Sequence, residues 1–127
     1  MKRSILAYGH HILKQKCNDI EKDYPELDKL IADMWETMEN ANGCGLASPQ
    51  IGLPVRLFIV DSKSTFDNLG EEERKFYFPQ DDKGIMETFI NAKIIQRSEE
   101  LWEDEEGCLS IPNLFYKVKR NWAITIE

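Results

Sequence analysis

Two short stretches hold the side chains with chemistry to offer. Glu106-Gly107-Cys108-Leu109-Ser110 sets a thiol beside a glycine, and Gly43-Cys44-Gly45-Leu46-Ala47-Ser48-Pro49-Gln50 sets two glycines ahead of a carboxamide. Cys108 has three readings: a metal thiolate, a nucleophile, or a buried apolar residue. A nucleophilic cysteine needs a base within reach, normally a histidine. The only histidines are His10 and His11, far upstream, and none follows Cys108. A lone thiolate cannot hold a catalytic metal, which takes about three protein ligands and leaves one position open. Gln50 offers two amide N–H donors and a carbonyl acceptor. Held rigidly ahead of a buried strand, it suits an oxyanion-stabilising donor. The alternative is a surface glutamine in the turn that closes a helix. Gly43 and Gly45 permit positive φ and close backbone approach to a ligand.

These loops need elements to position them. Leu27, Leu30, Ile31, Met34, Trp35 and Met38 recur at helical spacing, with acidic residues on the other faces. Pro25 and Glu26 suit a first helical turn and Asn42-Gly43 a helix end, which predicts a helix over about residues 25–41. Residues 43–54 read as a loop and 55–60 as a strand covered on both faces. Residues 62–84 are polar and read as a surface excursion, in which Phe76-Tyr77-Phe78 either pack locally or form a short strand. Residues 86–91 and 93–97 read as strands, and residues 98–106 as an acidic stretch anchored by Leu101 and Trp102. Leu114, Tyr116 and Val118, then Trp122, Ile124 and Ile126, alternate as strands do. The class expected is α+β, an N-terminal helix packed on antiparallel sheets, in one domain over 1–127.

Totals narrow the function classes. The chain has 127 residues, 42% of them hydrophobic, enough to bury one core. Its 16 basic and 23 acidic residues give a net charge of −7, which argues against nucleic-acid phosphates as the main partner. No apolar run is long enough for a membrane span, and residues 1–13 lack the apolar core of a signal peptide. A cytoplasmic location is expected. Cys17, Cys44 and Cys108 are widely spaced without a Cys-x-x-Cys pair, which fits reduced thiols.

Taken together, the two stretches resemble the first two motifs of peptide deformylase, Gly-x-Gly-Leu-Ala-Ala-x-Gln and Glu-Gly-Cys-Leu-Ser. The first is matched except that Ser48 stands where a second alanine is usual, and the second is matched in full. Ile51-Gly52 and Phe89-Ile90-Asn91 continue the likeness, with Ala92 where a proline usually follows. The resemblance implies that Cys108 is the thiolate ligand of a divalent metal, natively Fe²⁺ and replaceable by Zn²⁺ or Ni²⁺. It implies that the Gln50 amide and the Leu109 backbone N–H stabilise the oxyanion, and that Gly43, Gly45 and Leu46 meet the substrate. The implied reaction is hydrolytic removal of the formyl group from the N-terminal formyl-Met of nascent polypeptides leaving a bacterial-type ribosome.

The family's third motif, His-Glu-x-x-His, supplies two metal ligands and the general base from a C-terminal helix. Nothing between Ser110 and Glu127 matches it. His10 and His11 are adjacent and do not share a face, so they are not expected to substitute. Cys44 is expected to be a pocket wall, and Cys17 has no assigned role. The expectation is a C-terminally incomplete domain, inactive as it stands. It would bind no stoichiometric metal and would self-associate through uncovered sheet. The competing expectation is a non-catalytic peptide-binding module without metal.

Overall fold

A computed structural model describes residues 1–127. The predicted helix is α1, Leu27–Asn40. Its spacing brings Leu30, Met34 and Met38 onto one buried face. Its end is closed by two bonds, Asn42 N–H to Glu39 O and Gly43 N–H to Met38 O. The left-handed residue in that closure is Asn42, at φ 56°, rather than Gly43. At the start, Pro25 and Glu26 stay outside the helix, because Glu26 is itself left-handed at φ 54°.

The loop expected over residues 43–54 contains structure. A short strand β1 (Gly45–Ala47) and a 3-10 turn (Ser48–Ile51) precede β2 (Leu57–Asp61). With β3 (Met86–Ile90), they make an antiparallel sheet ordered β1-β2-β3. Leu57 and Ile59 are buried on one face of β2, while Phe58 and Val60 are half-buried on the other. Phe58 stacks on Phe89 with ring centroids 4.9 Å apart. Leu30, Met34 and Met38 of α1 join Leu46, Leu57, Ile59 and Ile20 in the one buried cluster.

Residues 62–84 fold as two short helices, α2 (Lys63–Asn68) and α3 (Glu71–Tyr77), so the short strand considered for the aromatic patch does not form. Glu71, Glu72 and Glu73 occupy the first turn of α3, and Arg74 and Lys75 its last turn, both complementing the helix dipole. The aromatics do pack locally. Phe78 meets Phe66 edge-on, and Tyr77 reaches Trp102, which in turn packs edge-on against Trp122.

The remaining strands are β4 (Ile94–Arg97), β5 (Leu101–Cys108), β6 (Ile111–Asn121) and β7 (Ile124–Ile126). β4 pairs with β7, and β5 with β6, as two separate antiparallel ribbons. The acidic stretch thus becomes a strand. Its register places Glu103 opposite Lys119 and Glu105 opposite Lys117, which turns a run of like charge into cross-strand opposites. Apolar side chains on these ribbons, among them Ile95, Leu101 and Phe115, remain more than half exposed. No helix is long and apolar enough to cross a membrane.

Candidate functional site

Gln50 lies in the 3-10 turn that follows β1. Its Oε1 accepts the Ala47 N–H at 2.9 Å. That bond fixes which end of the amide faces inward. The NH₂ end is 3.7 Å from Cys108 Sγ and donates to Ser110 Oγ at 3.2 Å. A glutamine from the first motif and a cysteine from the second, 58 positions apart in the chain, therefore share one contact.

The second motif occupies the end of β5 and the tip of the β5–β6 hairpin. Cys108 pairs with Ile111, which leaves Leu109 and Ser110 as the two-residue connection. The next pair is Gly107 with Phe115, so Pro112, Asn113 and Leu114 bulge outward, with Asn113 left-handed at φ 65°. The Leu109 side chain packs against the core cluster, and its backbone N–H takes part in no backbone hydrogen bond. The tip is thereby anchored through its side chain and keeps a donor free.

A cleft of about 490 Å³ runs between the two motifs, lined by Gly43, Cys44, Gly45, Gln50, Cys108 and Leu109 with the bulged segment. β1 is the edge strand of its sheet, so one side of its backbone has no strand partner. An extended peptide adds to such an edge through main-chain hydrogen bonds. Leu46 does not line the cleft: the residue is 2% exposed and its side chain belongs to the core cluster.

Neither glycine is left-handed; Gly43 is required by close approach, whereas a Cβ on Gly45 would meet only Ile59 O at 3.6 Å, an ordinary contact. A Cβ on Gly43 would stand 2.7 Å from Leu109 Cδ1 and 3.3 Å from Met38 Cγ. Gly43→Ala is expected to displace the Leu109 side chain and cost about 1–3 kcal/mol of stability by overpacking. A urea midpoint, with the Leu109 methyl resonances followed by NMR, checks both.

Ser48 is fully buried, and its Oγ has no hydrogen-bond partner. Leaving a buried hydroxyl unsatisfied costs about 1–3 kcal/mol. Ser48→Ala, which restores the alanine usual in the resembled motif, is expected to raise stability by about 1 kcal/mol or more. A lower denaturation midpoint would show that the hydroxyl does find a partner.

Glu106, at the head of the second motif, is forked by Arg120, with Nε and Nη2 at 2.9 and 2.8 Å from its two carboxylate oxygens. The hydrogen bonds from Arg120 hold the Glu106 carboxyl below its ordinary value. A carboxyl lowered in the folded state stabilises the fold above its unfolded pKa and loses that contribution as pH falls through the folded one. The hairpin should therefore loosen slightly below about pH 4.5, the ordinary value. Both partners are exposed, so the effect stays under about 1 kcal/mol. Arg120→Gln should abolish it in an acid titration followed by tryptophan fluorescence.

Of the other candidates, only Cys44 reaches the cleft. His10 Nδ1 accepts the Ile12 N–H at 3.2 Å, and its ring stacks on His11 at 4.7 Å. Cys44 is exposed on the cleft wall, and Cys17 lines a separate small cavity with Val55 and Phe58. No three His, Cys, Asp or Glu side chains gather in a metal-binding group. Cys108 is one donor, so these residues do not by themselves fit a catalytic metal.

Three contributors escaped the sequence reading. Ser110 is buried, and its hydroxyl meets the Gln50 amide; its place in the motif was the available signal. Leu6 donates its N–H to Gln50 O at 2.7 Å and Tyr8 donates to Ser110 O at 2.8 Å. Those are main-chain bonds, which no side-chain pattern announces.

The sequence pattern of the family described as polypeptide deformylase matches residues 2–127. A peptide deformylase of Flavobacterium psychrophilum is 49% identical over 125 residues, 97% of this chain and 62% of that protein. One of Christiangramia forsetii is 48% identical, covering 97% and 61%. The chain thus spans about three-fifths of the length of these curated relatives. Among solved structures, the peptide deformylase of Thermotoga maritima superimposes with a TM-score of 0.79 at 28% identity, covering 99% of this chain and 72% of that one. That of Ehrlichia chaffeensis gives 0.81 at 28%, covering 99% and 67%.

Proposed function

The chain belongs to the polypeptide deformylase family, and on that premise we propose that it carries the peptide-binding edge, the oxyanion donors and one thiolate of a hydrolase. That hydrolase removes the formyl group from the N-terminal formyl-Met of nascent polypeptides leaving a bacterial-type ribosome. The observation that carries the reading is the Gln50 amide, pinned by Ala47 with its NH₂ end turned to Cys108. A formyl carbon attacked by water or hydroxide becomes tetrahedral, and its oxygen gains charge. Donors fixed beforehand stabilise that charge without reorganising. Gln50 Nε2 and the Leu109 N–H are the donors of this chain, and the open edge of β1 at Gly45 is where the peptide backbone lies.

The thiolate role of Cys108 in a site for Fe²⁺, or Zn²⁺ or Ni²⁺ in its place, rests on the motif resemblance. The residues of this chain give that site one donor, so no catalytic step is assigned to a metal here. Turnover on this reading needs donors and a general base from outside these 127 residues. The second reading is a non-catalytic peptide-binding module without metal.

Formate release from a formyl-Met peptide, measured with bound metal on the 127-residue chain, separates the possibilities. Stoichiometric metal with turnover would overturn the inference that donors come from elsewhere. Peptide binding that neither needs nor retains metal would favour the module. Failure of a formyl-Met peptide to perturb the Gly45 and Gln50 resonances would remove the peptide-site reading altogether.

A further inference from the structure

The contact between Gln50 and Cys108 joins two bodies that share no strand pairing. Gln50 follows β1 in one sheet, whereas Cys108 ends a hairpin that pairs only with itself. Their relative position must come from elsewhere. Leu109, packed on the core cluster, gives one tie, and residues 3–8 supply a second. Leu6 bonds the Gln50 carbonyl and Tyr8 the Ser110 carbonyl, so one extended segment touches both loops within three residues.

That segment forms no strand and needs an anchor of its own. α1 provides one. Asp33 and Thr37, one turn apart, are polar residues on its buried side, 3% and 2% exposed. Buried polar groups require partners. Asp33 Oδ2 accepts from Arg3 Nε at 3.0 Å and Nη2 at 2.8 Å, and Thr37 Oγ1 accepts the Arg3 backbone N–H at 2.8 Å. Asp33 also takes the Met1 ammonium. Neither residue touches the cleft, and the core packing of α1 gives no reason for a carboxylate there.

We propose that Asp33 is a positioning residue for the Gln50–Cys108 site, acting through Arg3 and residues 3–8. This rests on the deformylase reading for its consequence, although the mechanical link stands apart from it. With the anchor intact, the segment sets the spacing of the amide to the thiol. With it broken, the spacing of the two loops loosens, held only by the Leu109 side chain on the core, while the core between α1 and β1–β3 stays formed.

Amide hydrogen exchange and side-chain NMR on the 127-residue chain test the link without requiring turnover. In Asp33→Asn, the Leu6 and Tyr8 amides are expected to exchange about tenfold faster, as a local opening. The Gln50 side-chain NH₂ resonances should shift, while the Ile59 and Phe89 amides, each in a hydrogen-bonded pair of the sheet, keep their protection. Arg3→Gln, the milder change, should give the same pattern at smaller amplitude. Unchanged exchange at Leu6 and Tyr8 in both variants would overturn the proposal. So would a uniform loss that includes Ile59, because Asp33 would then serve the fold alone. Failure of the deformylase reading would instead appear as absent formyl-Met peptide binding with this exchange pattern intact.

Discussion

Replacing Gln50 by alanine is expected to slow formate release by about 10²–10³-fold, the usual cost of losing one oxyanion donor. The loss should fall on kcat, with KM changed little, because the amide matters most when charge has developed on the formyl oxygen. The geometry gives the reason. Its carbonyl end is committed to the Ala47 N–H at 2.9 Å, so the NH₂ end has one direction left, toward Cys108 and Ser110. Gln50→Glu should be at least as damaging. The carboxylate keeps the shape but turns an acceptor oxygen toward both the thiol and the developing oxyanion. The measurement belongs to metal-reconstituted protein with a complete ligand set. Ser110→Ala serves as the graded control, expected to cost about tenfold or less by loosening the amide without removing it. A Gln50→Ala protein with unaltered kcat would dismiss Gln50 as the donor and leave the Leu109 N–H to act alone.

The largest stability effect is expected at Ile59. Its side chain is fully buried, and across the sheet it faces Leu46 on one side and Thr88 on the other. Ile59→Ala removes buried methyl groups and leaves a cavity between α1 and the sheet, at a cost of about 2–5 kcal/mol. Only 12 of the 127 residues are buried, so little else can compensate. Against a typical total of about 5–15 kcal/mol, that loss brings the domain close to unfolding. The matched control is Ile95→Ala on β4, where the side chain is 54% exposed and the change should stay within about 0.5 kcal/mol. Urea melts of the pair at unchanged slope give the comparison. Equal midpoints would mean that the stabilising core does not lie where the buried cluster places it.

Local order was legible where a pattern repeats within a few residues. The spacing of Leu30, Met34 and Met38 marks a helix because the α-helical period returns them to one face. The apolar run over 55–60 marks a strand covered on both faces, and the structure places it at Leu57–Asp61. The β5 strand was harder to see. Its acidic run shows no apolar alternation, and its partners Lys117 and Lys119 become opposites only through the hairpin register. Glu71–Tyr77 was missed as a helix because it is too short to show a period, and its evidence is charge at the ends. The helix end falls at Asn42-Gly43 as the sequence indicates, but the structure divides the roles: Asn42 takes the left-handed turn, and Gly43 is small because Leu109, from far along the chain, lies against it.

The sequence by itself determined the family, the pair of loops and the identity of Gln50, Leu109 and Cys108 as the residues to watch. Motifs carry that information because each loop's chemistry depends on side-chain type at fixed short spacing. Only the tertiary structure decided which end of the Gln50 amide faces the thiol, that Leu46 serves the core, and that Asp33 and Thr37 hold the segment linking the loops. Those facts depend on contacts between residues tens of positions apart, many of them through backbone atoms common to every residue. A one-dimensional pattern has no means of recording them.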